Sequence, residues 1–305
     1  MKIKKILLID PPFFRFFNES QSGAPLGLCY LASNLIRAGF KDVFIYNADF
    51  DHLKRLKECN KYFFEEVDSF DSYKKRIRNL CDPIYKEVLS NIAEYKPDII
   101  GISIKTAKFF ISKTIIELIK QDYPDTIIVA GGPHPTVMPE HVLKNTKADF
   151  LLRGEGENIF TEFVKRVNDG GNLSNLQGLS YRKDGNTLHN PLPDFIADLD
   201  SIAFPDKDVI LHRDSMVNDD FGNIFSSRGC PFSCSFCDSR SIWSQKVRRR
   251  TPQNIVDEII FLKEKYGTSF FSFSDDSLSS YTSIFFVPII IILLIFTGVN
   301  QLTWT

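Results

Sequence analysis

The sequence has almost no net charge, few histidines and no recognisable export signal. Its 305 residues carry 37 Lys and Arg against 38 Asp and Glu, a formal net charge of -1, and five His. A chain this close to neutral has no long-range attraction for nucleic acid or acidic membranes. The short apolar run from Ile6 to Ile9 ends at Asp10-Pro11-Pro12, which does not fit a signal peptide. We therefore expect a cytoplasmic protein that has no nucleic-acid partner and no membrane partner.

The first half of the chain alternates strand and helix patterns. Continuous apolar runs predict strands at residues 3–10, 43–46, 99–104, 126–130 and 149–152. Amphipathic spacing predicts helices at residues 25–40, 107–122 and 139–145. Repeated units of this kind favour a Rossmann-like α/β fold with a parallel sheet, in which ligands bind beyond the carboxyl ends of the strands. No G-x-G-x-x-G pattern follows the first strand, which argues against a dinucleotide-binding domain.

A second α/β pattern begins near residue 223. Strand patterns at residues 223–227 and 269–274 flank a helix pattern over residues 251–266. The helix has Thr251 as its predicted N-cap and Pro252 in its first position, where the missing N–H costs nothing.

Less regular segments surround these two patterns. Residues 178–190 predict a hairpin with its turn at 183–186, and residues 191–222, rich in Pro and Asp, predict a linker. The charged residues 51–96 predict two or three helices without assigned chemistry, and residues 284–305 form an apolar tail.

Three of the six cysteines are clustered in Gly229-Cys230-Pro231-Phe232-Ser233-Cys234-Ser235-Phe236-Cys237. Thiolates are the usual ligands of iron–sulfur clusters, and three of them leave one iron of a [4Fe-4S] cluster open for a small molecule. The alternative is a structural zinc site, which needs four ligands. No cysteine or histidine follows Cys237 to provide the fourth.

The C-x3-C-x2-C spacing, with an aromatic residue before the last cysteine, resembles the radical S-adenosylmethionine (SAM) superfamily. The resemblance implies that Cys230, Cys234 and Cys237 hold a [4Fe-4S] cluster whose open iron chelates SAM. One-electron reduction by a donor such as flavodoxin or ferredoxin then cleaves SAM to a radical that attacks a small-molecule substrate. The resemblance also places Phe236 near the adenine of SAM.

Two charged clusters near the second strand have alternative interpretations. The resemblance places Asp275 and Asp276 near the methionine amino group of SAM, whereas a solvated strand end would have the same residues. Arg248, Arg249 and Arg250 could contact a carboxylate or a phosphate, although a run of charge is more typical of a solvated face.

Glycine-rich segments follow several predicted strands of the first half, where they let the backbone approach a ligand closely. These segments resemble the cobalamin-binding domain that precedes the radical barrel in one subgroup of the superfamily. The subgroup includes anaerobic magnesium-protoporphyrin monomethyl ester cyclases and cobalamin-dependent methylases. The resemblance implies that cobalamin contacts Leu26, Gly27, Ser103, Thr106, Gly131, Gly132, Pro133, His134 and Gly154.

One feature departs from other cobalamin proteins. Their Asp-x-His-x-x-Gly loop, which supplies a histidine to cobalt, is replaced after the first strand by Asp10-Pro11-Pro12-Phe13-Phe14. His134 could substitute for that ligand, line the site of the nucleotide tail, or occupy an ordinary turn.

The expected organisation is a cobalamin-binding Rossmann-like domain (1–190), a linker (191–222), the first part of a radical SAM (β/α) barrel (223–283) and an apolar tail (284–305). The family chemistry is radical C–H activation with methyl transfer or oxidative cyclisation. Radical barrels usually have six strand–helix units, and only two strands and one helix are evident here. We therefore expect a C-terminally truncated chain that is not a competent enzyme. The alternatives are a noncatalytic cofactor-binding remnant and a protein tethered to a membrane by its tail.

Overall fold

A seven-stranded sheet organises the first part of the chain. The computed structural model describes residues 2–21, 23–52, 69–277 and 301–304. In these ranges the parallel strands are β1 (Lys5–Asp10), β2 (Asp42–Asn47), β3 (Ile99–Ser103), β4 (Ile127–Gly131) and β5 (Phe150–Leu152). The antiparallel hairpin of β6 (Leu179–Lys183) and β7 (Asn186–His189) extends the sheet beside β5. The strand order is β2-β1-β3-β4-β5-β6-β7, so the order reverses between β1 and β3.

Helices cover both faces of this sheet. They are α1 (Leu26–Arg37), α2 (Ser69–Arg78), α3 (Pro83–Tyr95), α4 (Phe109–Asp122), α5 (Pro133–Val137), α6 (Pro139–Asn145) and α7 (Gly156–Asp169). The expected helices α1, α4 and α6 are confirmed, and α2 and α3 lie in the segment where two or three helices were expected. Residues 53–68 of that segment, with Cys59, lie outside the described residues.

Alternate residues of β1 face two different apolar cores, as the two-residue period of a strand requires. Ile6 and Leu8 belong to the core under α1 and α7, whereas Leu7 and Ile9 belong to the core under α3, α4 and α6. All four side chains are fully buried. The uninterrupted apolar run in the sequence therefore corresponds to a strand covered on both faces, as expected for a parallel sheet.

The second unit contains short strands around one long helix. Its elements are β8 (Asn223–Ile224), β9 (Ser227–Arg228), α8 (Ser239–Trp243), β10 (Arg248–Arg249), α9 (Pro252–Tyr266), β11 (Phe270–Phe273) and β12 (Gln301–Trp304). The expected strand at residues 223–227 is thus divided into two. The first of these, β8, pairs in parallel with β11, and the second, β9, pairs antiparallel with β10.

The end of the chain differs from the expectation of an apolar tail beside a two-stranded sheet. The backbone of β12 pairs in parallel with β11, so β11 lies between β12 and β8. The alternation of polar and apolar residues in Gln301-Leu302-Thr303-Trp304 favours a strand and was the missed signal. The apolar run 284–296 lies outside the described residues. Among the helices that are described, none is long and apolar enough to cross a membrane.

The two units share one apolar core. The core under α1 and α7 also contains Ile255 and Ile259 of α9 and Phe271 of β11. The segment expected to be a linker packs into the same structure, since its Lys207 is fully buried and Ile210 bridges to Ile45 of β2. The expected domain boundaries stay predictions, but the described parts of the two units are in direct contact.

Candidate functional site

The three clustered cysteines lie on one exposed loop between β9 and α8. Cys230 is half-buried, Cys234 and Cys237 are exposed, and all three are free thiols. The Cys237 N–H donates to the Cys234 carbonyl at 3.1 Å. In the described part of the chain, no group of three or more Cys, His, Asp or Glu is arranged to hold a metal ion. The donor chemistry nevertheless fits an iron–sulfur cluster, because one accessible loop supplies three unpaired thiols.

The same loop exposes two aromatic rings. Phe236 is 90% exposed and Phe232 is 57% exposed, which is unusual for large apolar side chains. A planar ligand could therefore stack on either ring without displacing another side chain. The adenine contact of Phe236 remains a prediction.

The start of the loop is held by tight backbone contacts with the residues that precede β10. Gly229 has a φ of +103°, and a Cβ at this position would lie 2.7 Å from the Lys246 carbonyl oxygen. The Cys230 N–H donates to the Ser244 carbonyl at 3.4 Å. Only glycine fits at position 229, where the backbone leaves β9 and passes close to the segment that leads into β10.

Asp275 and Asp276 have different environments. The Asp275 carboxylate accepts hydrogen bonds from the Ser226 N–H at 3.0 Å and from the Ser226 hydroxyl at 2.9 Å. It thereby joins the ends of β8 and β11. Asp276 is exposed and accepts from the Ser239 hydroxyl at 2.8 Å, beside the cysteine loop. Of the two, Asp276 is the more accessible to a ligand.

A buried group of two arginines and two glutamates connects the cysteine loop to the first sheet. Arg228, directly before Gly229, is paired through Nη1 with Glu155 Oε1 at 2.7 Å and through Nη2 with Glu157 Oε1. Arg248 Nη1 lies 2.8 Å from Glu155 Oε2. Each of the four residues is at most 8% exposed. We call Glu155, Glu157, Arg228 and Arg248 the buried ion-pair network.

The charges of this network are mutually supported. Burial alone would raise the pKa of Glu157, but the adjacent Arg228 outweighs burial and lowers it. Burial likewise opposes the charge on Arg228, and the two glutamates reverse this effect and raise its pKa. Arg228 and Glu157 are therefore both charged, and loss of one of them would leave an uncompensated charge in a buried position.

The interpretation of Arg248–Arg250 as a solvated face is wrong for two of the three residues. Arg248 contacts a carboxylate, as the other interpretation allowed, and Arg250 is 3% exposed and pairs with the fully buried Glu258. Glu258 also accepts a hydrogen bond from the Tyr30 hydroxyl of α1 at 2.9 Å. Only Arg249 is exposed.

At the carboxyl edge of the first sheet, several residues expected to contact cobalamin lie close together. Gly132 has a φ of +99°, and a Cβ there would lie 3.2 Å from Ile104 N and 3.3 Å from Ser103 Oγ. The Gly154 N–H donates to Thr136 Oγ1 at 3.1 Å, and that hydroxyl donates to the Gly132 carbonyl at 2.8 Å. The loops that follow β3, β4 and β5 are thus joined.

Two further glycines of the expected set leave space for a ligand. A Cβ on Gly27 would meet no atom within 4 Å, and one on Gly131 would meet only the Leu152 carbonyl oxygen, at 3.7 Å. Leu26 and Gly27 begin α1. Pro133 begins α5, a short helix outside the helices expected from the sequence. Gly27 and Gly131 therefore leave room for a ligand that approaches the backbone closely.

The imidazole of His134 is enclosed by partners. Its Nδ1 lies 3.1 Å from Thr106 Oγ1, its Nε2 lies 3.2 Å from His141 Nδ1, and the ring of Phe109 packs against it. Burial and the neighbouring His141 lower the pKa of His134. With both nitrogens engaged, His134 has no free nitrogen to offer a metal, which argues against its role as a substitute cobalt ligand.

A closed ion-pair group occupies the position at which other cobalamin proteins have their histidine loop. Lys108 Nζ lies 2.9 Å from Asp10 Oδ1, at the end of β1, and 2.9 Å from Asp49 Oδ2. Burial raises the pKa of Asp10 even against the attraction of Lys108. The point at which the strand order reverses is therefore stabilised by a buried cation.

Comparisons with known proteins agree with this arrangement. Residues 20–164 match the B12 binding domain family, and residues 224–296 match the radical SAM superfamily. The chain therefore combines a B12 binding domain with a radical SAM domain. This confirms the resemblance that the cysteine and glycine motifs indicated. Relatives with these domains include a cobalamin-dependent radical SAM methyltransferase and magnesium-protoporphyrin cyclases, and solved structures of similar fold contain cobalamin with SAM or cobalamin with a [4Fe-4S] cluster.

Relatives of both types are found within the family. The chain is 30% identical over 285 residues to an uncharacterized methyltransferase of Pyrococcus horikoshii, covering 92% of this chain and 55% of the relative. It is 32% identical over 198 residues to the anaerobic magnesium-protoporphyrin IX monomethyl ester cyclase of Rubrivivax gelatinosus, covering 62% and 35% respectively. These relatives do not favour the alternative of a noncatalytic remnant.

The fold is shared with a solved structure of the family. The cobalamin-dependent SAM radical enzyme OxsB, with aqua-cobalamin and SAM bound, superposes with a TM-score of 0.72 at 17% identity, covering 99% of this chain and 38% of OxsB. The chain spans about half the length of the curated relatives it matches.

The roles of Glu155 and Glu157 were not expected from the sequence. The glycines of the segment Arg153-Gly154-Glu155-Gly156-Glu157 indicated a ligand site. The two glutamates of the same segment contact Arg228 in the second unit. Two acidic residues directly after a buried strand, together with an arginine directly before the cysteine loop, were the available signal.

Proposed function

We propose that this chain binds a [4Fe-4S] cluster through Cys230, Cys234 and Cys237 and binds cobalamin at the carboxyl edge of the first sheet. We propose that it acts in radical C–H activation of a small molecule, followed by methyl transfer or oxidative cyclisation. The observation that carries the proposal is the exposed three-thiol loop, which a buried ion-pair network joins to the glycine-rich strand ends. When bound and reduced, the cluster supplies the electron that cleaves SAM.

The residues of the chain bind and orient these groups. Phe236 offers an exposed face to the adenine, and Asp276 offers an accessible carboxylate to the methionine amino group. Asp275 acts indirectly, because its carboxylate accepts hydrogen bonds from Ser226 and so fixes the ends of β8 and β11 beside Asp276. The residues proposed to line the cobalamin site are Leu26, Gly27, Ser103, Thr106, Gly131, Gly132, Pro133, His134 and Gly154.

The proposal extends to partners and location. An electron donor such as flavodoxin or ferredoxin would reduce the cluster, and the exposure of Cys234 and Cys237 supports such access. A cytoplasmic location is consistent with free thiols, which persist in reducing compartments. We retain the division into residues 1–190, 191–222, 223–283 and 284–305 as the proposed domain organisation.

Anaerobic reconstitution with iron and sulfide tests the cluster. We expect about four irons per chain in the unaltered protein, in line with a [4Fe-4S] cluster, and a large loss of bound iron in Cys234→Ala. Cys81→Ala is the matched control, because Cys81 is also an exposed free thiol but lies outside the loop. Equal iron content in the two variants would contradict the ligand assignment.

Titration with hydroxocobalamin, followed by its absorption spectrum, tests the cobalamin site. We expect Gly131→Val to abolish binding, because the added side chain enters the space left at the strand end. Gly171→Ala is the control. Gly171 lies just beyond the C-terminal end of α7, where an added Cβ would meet only ordinary contacts of 3.5 Å. If Gly131→Val binds as tightly as the unaltered chain, the cobalamin site is elsewhere.

Incubation with SAM and a reductant tests the activity. We expect 5′-deoxyadenosine to form only in the reconstituted chain and not in Cys234→Ala, a result that would overturn the expectation from the sequence that this chain is not a competent enzyme. Methyl transfer from labelled SAM to an added acceptor would then distinguish the methyltransferase type from the cyclase type.

A further inference from the structure

The buried ion-pair network contacts both of the regions to which cofactors are assigned. Glu155 directly follows Gly154, whose N–H is bonded to Thr136 at the carboxyl edge of the first sheet. Its carboxylate is bonded to Arg228, which directly precedes Gly229-Cys230. Glu157 also contacts Arg228, whereas Glu155 contacts both Arg228 and Arg248 and so joins the strand-end loops to both arginines.

The second arginine, Arg248, holds β10, the strand that follows the cysteine loop and α8. Arg248 Nη1 lies 3.0 and 2.8 Å from the two oxygens of Glu155 and also donates to the Ile196 carbonyl at 2.7 Å. The Ile196 N–H in turn donates to Glu155 Oε2 at 2.6 Å. Glu155 thus binds the two strands, β9 and β10, between which the cysteine loop extends.

The surroundings of the two arginines restrict them to this arrangement. The guanidinium of Arg228 lies 4.5 Å from the ring centre of Phe225 and 5.1 Å from that of Trp243, and Arg248 lies 4.9 Å from the ring of Phe195. Aromatic faces on one side and carboxylates on the other fix the planes of both guanidinium groups.

We propose that Glu155 is a positioning residue that sets where the cysteine loop stands relative to the carboxyl edge of the first sheet. It acts through Arg228 and Arg248 and touches neither cofactor. Its function is to fix the distance and orientation between the cluster and the cobalamin. The inference rests on the proposed function only for the identity of the two groups that it aligns.

The first test needs no cofactor. We would measure alkylation of Cys230 in the apoprotein by mass spectrometry, with the exposed Cys81 as the reference within each sample. In Glu155→Gln we expect Cys230 to react about tenfold faster relative to Cys81, because the half-buried thiol is released with its strand. The control is Glu162→Gln in α7, the helix that begins directly after Glu155. The half-exposed carboxylate of Glu162 pairs with Arg166 at 2.7 Å, within one helix, and we expect no change. An unchanged ratio in Glu155→Gln would overturn the inference.

A second variant keeps this test decisive if Glu155→Gln does not fold. Arg248→Lys retains the positive charge but loses the second guanidinium nitrogen, which donates to the Trp243 carbonyl at 3.3 Å, and the planar group that lies over the ring of Phe195. We expect a smaller acceleration of Cys230 alkylation, of about threefold, because Arg228 still holds the other end. If Arg248→Lys has the reactivity of the unaltered chain, the network does not position the loop.

The second test uses the loaded protein. Reduced cluster and cob(II)alamin are both paramagnetic, so electron paramagnetic resonance of the reconstituted chain reports their separation through spin–spin coupling. We expect Glu155→Gln to retain iron and cobalamin and to show altered coupling, whereas Glu162→Gln leaves it unchanged. Unaltered coupling in a fully loaded Glu155→Gln would refute the inference. If the unaltered chain takes up no iron or no cobalamin, the proposed function fails, and the alkylation ratio still decides the role of Glu155.

Discussion

The hydrogen bond between Tyr30 and Glu258 gives a direct measure of how strongly α1 holds α9. The Tyr30 hydroxyl donates to Glu258 Oε1 at 2.9 Å, and the two residues are 2% and 0% exposed. Burial raises the pKa of Tyr30 well above its usual value, and the adjacent carboxylate adds to this effect, so the hydroxyl is protonated and donates.

The change to test is Tyr30→Phe. The phenyl ring retains the edge contact with Phe225, whose centre lies 5.0 Å away, so the substitution removes the hydroxyl and little else. A buried hydrogen bond to a charged group contributes about 1.5–3 kcal/mol, and we expect the free energy of unfolding to fall by about 2 kcal/mol.

Urea denaturation followed by circular dichroism measures this loss. The dependence of the unfolding free energy on urea should stay the same, because the surface exposed on unfolding is unchanged. The control is Tyr123→Phe, which removes a hydroxyl that has no hydrogen bond in the described part of the chain and should change stability by less than about 0.5 kcal/mol. Equal losses in the two variants would refute the assignment of a strong buried bond.

Four further substitutions test local features of the fold. Gly132→Ala should lower the free energy of unfolding by at least about 1 kcal/mol, since the φ of Gly132 is +99° and a Cβ would crowd Ile104. Gly27→Ala, in open space within a helix, should raise the free energy of unfolding by about 0.5–1 kcal/mol. Thr251→Ala should cost about 1 kcal/mol through loss of the N-cap of α9, and thermal unfolding measures all three changes. The lowered pKa of His134 means that its neutral form stabilises the fold above about pH 6.5, and this stability is lost as the pH falls through the lowered pKa. His134→Gln should therefore flatten the decline in stability between about pH 7 and pH 5, and a decline as steep as that of the unaltered chain would contradict this account.

Features encoded by neighbouring residues could be predicted from the sequence. The apolar run of β1, the hairpin of β6 and β7 and the start of α9 at Thr251-Pro252 depend on side-chain periodicity and on turn or cap chemistry. The spacing of the cysteines is also a local pattern. In these cases one short segment contains the whole signal.

Features that depend on distant partners could not be predicted in this way. Arg248 and Arg250 have the composition of a solvated run, and only the fold brings Glu155, 93 residues away, to Arg248. His134 likewise presents three interpretations in the sequence, and its enclosure depends on Thr106 from another loop. The cost of burying a charge is offset only by a partner, and the partner is not visible in the local sequence.

The shared core has a consequence for how molecules reach the proposed site. Helix α1 contributes Leu28 and Leu35 to the core that also contains Ile255 and Ile259 of α9, so it forms a common wall of both units. A hinge motion between the units would separate these apolar surfaces and expose them to water, which is costly. Within the described residues, the exposed cysteine loop and the strand-end loops can open locally at much lower cost, so we expect entry and exit at the proposed site to use them. If the proposed function holds, loop motion would control the passage of substrate, while the two regions to which cofactors are assigned would keep a constant separation.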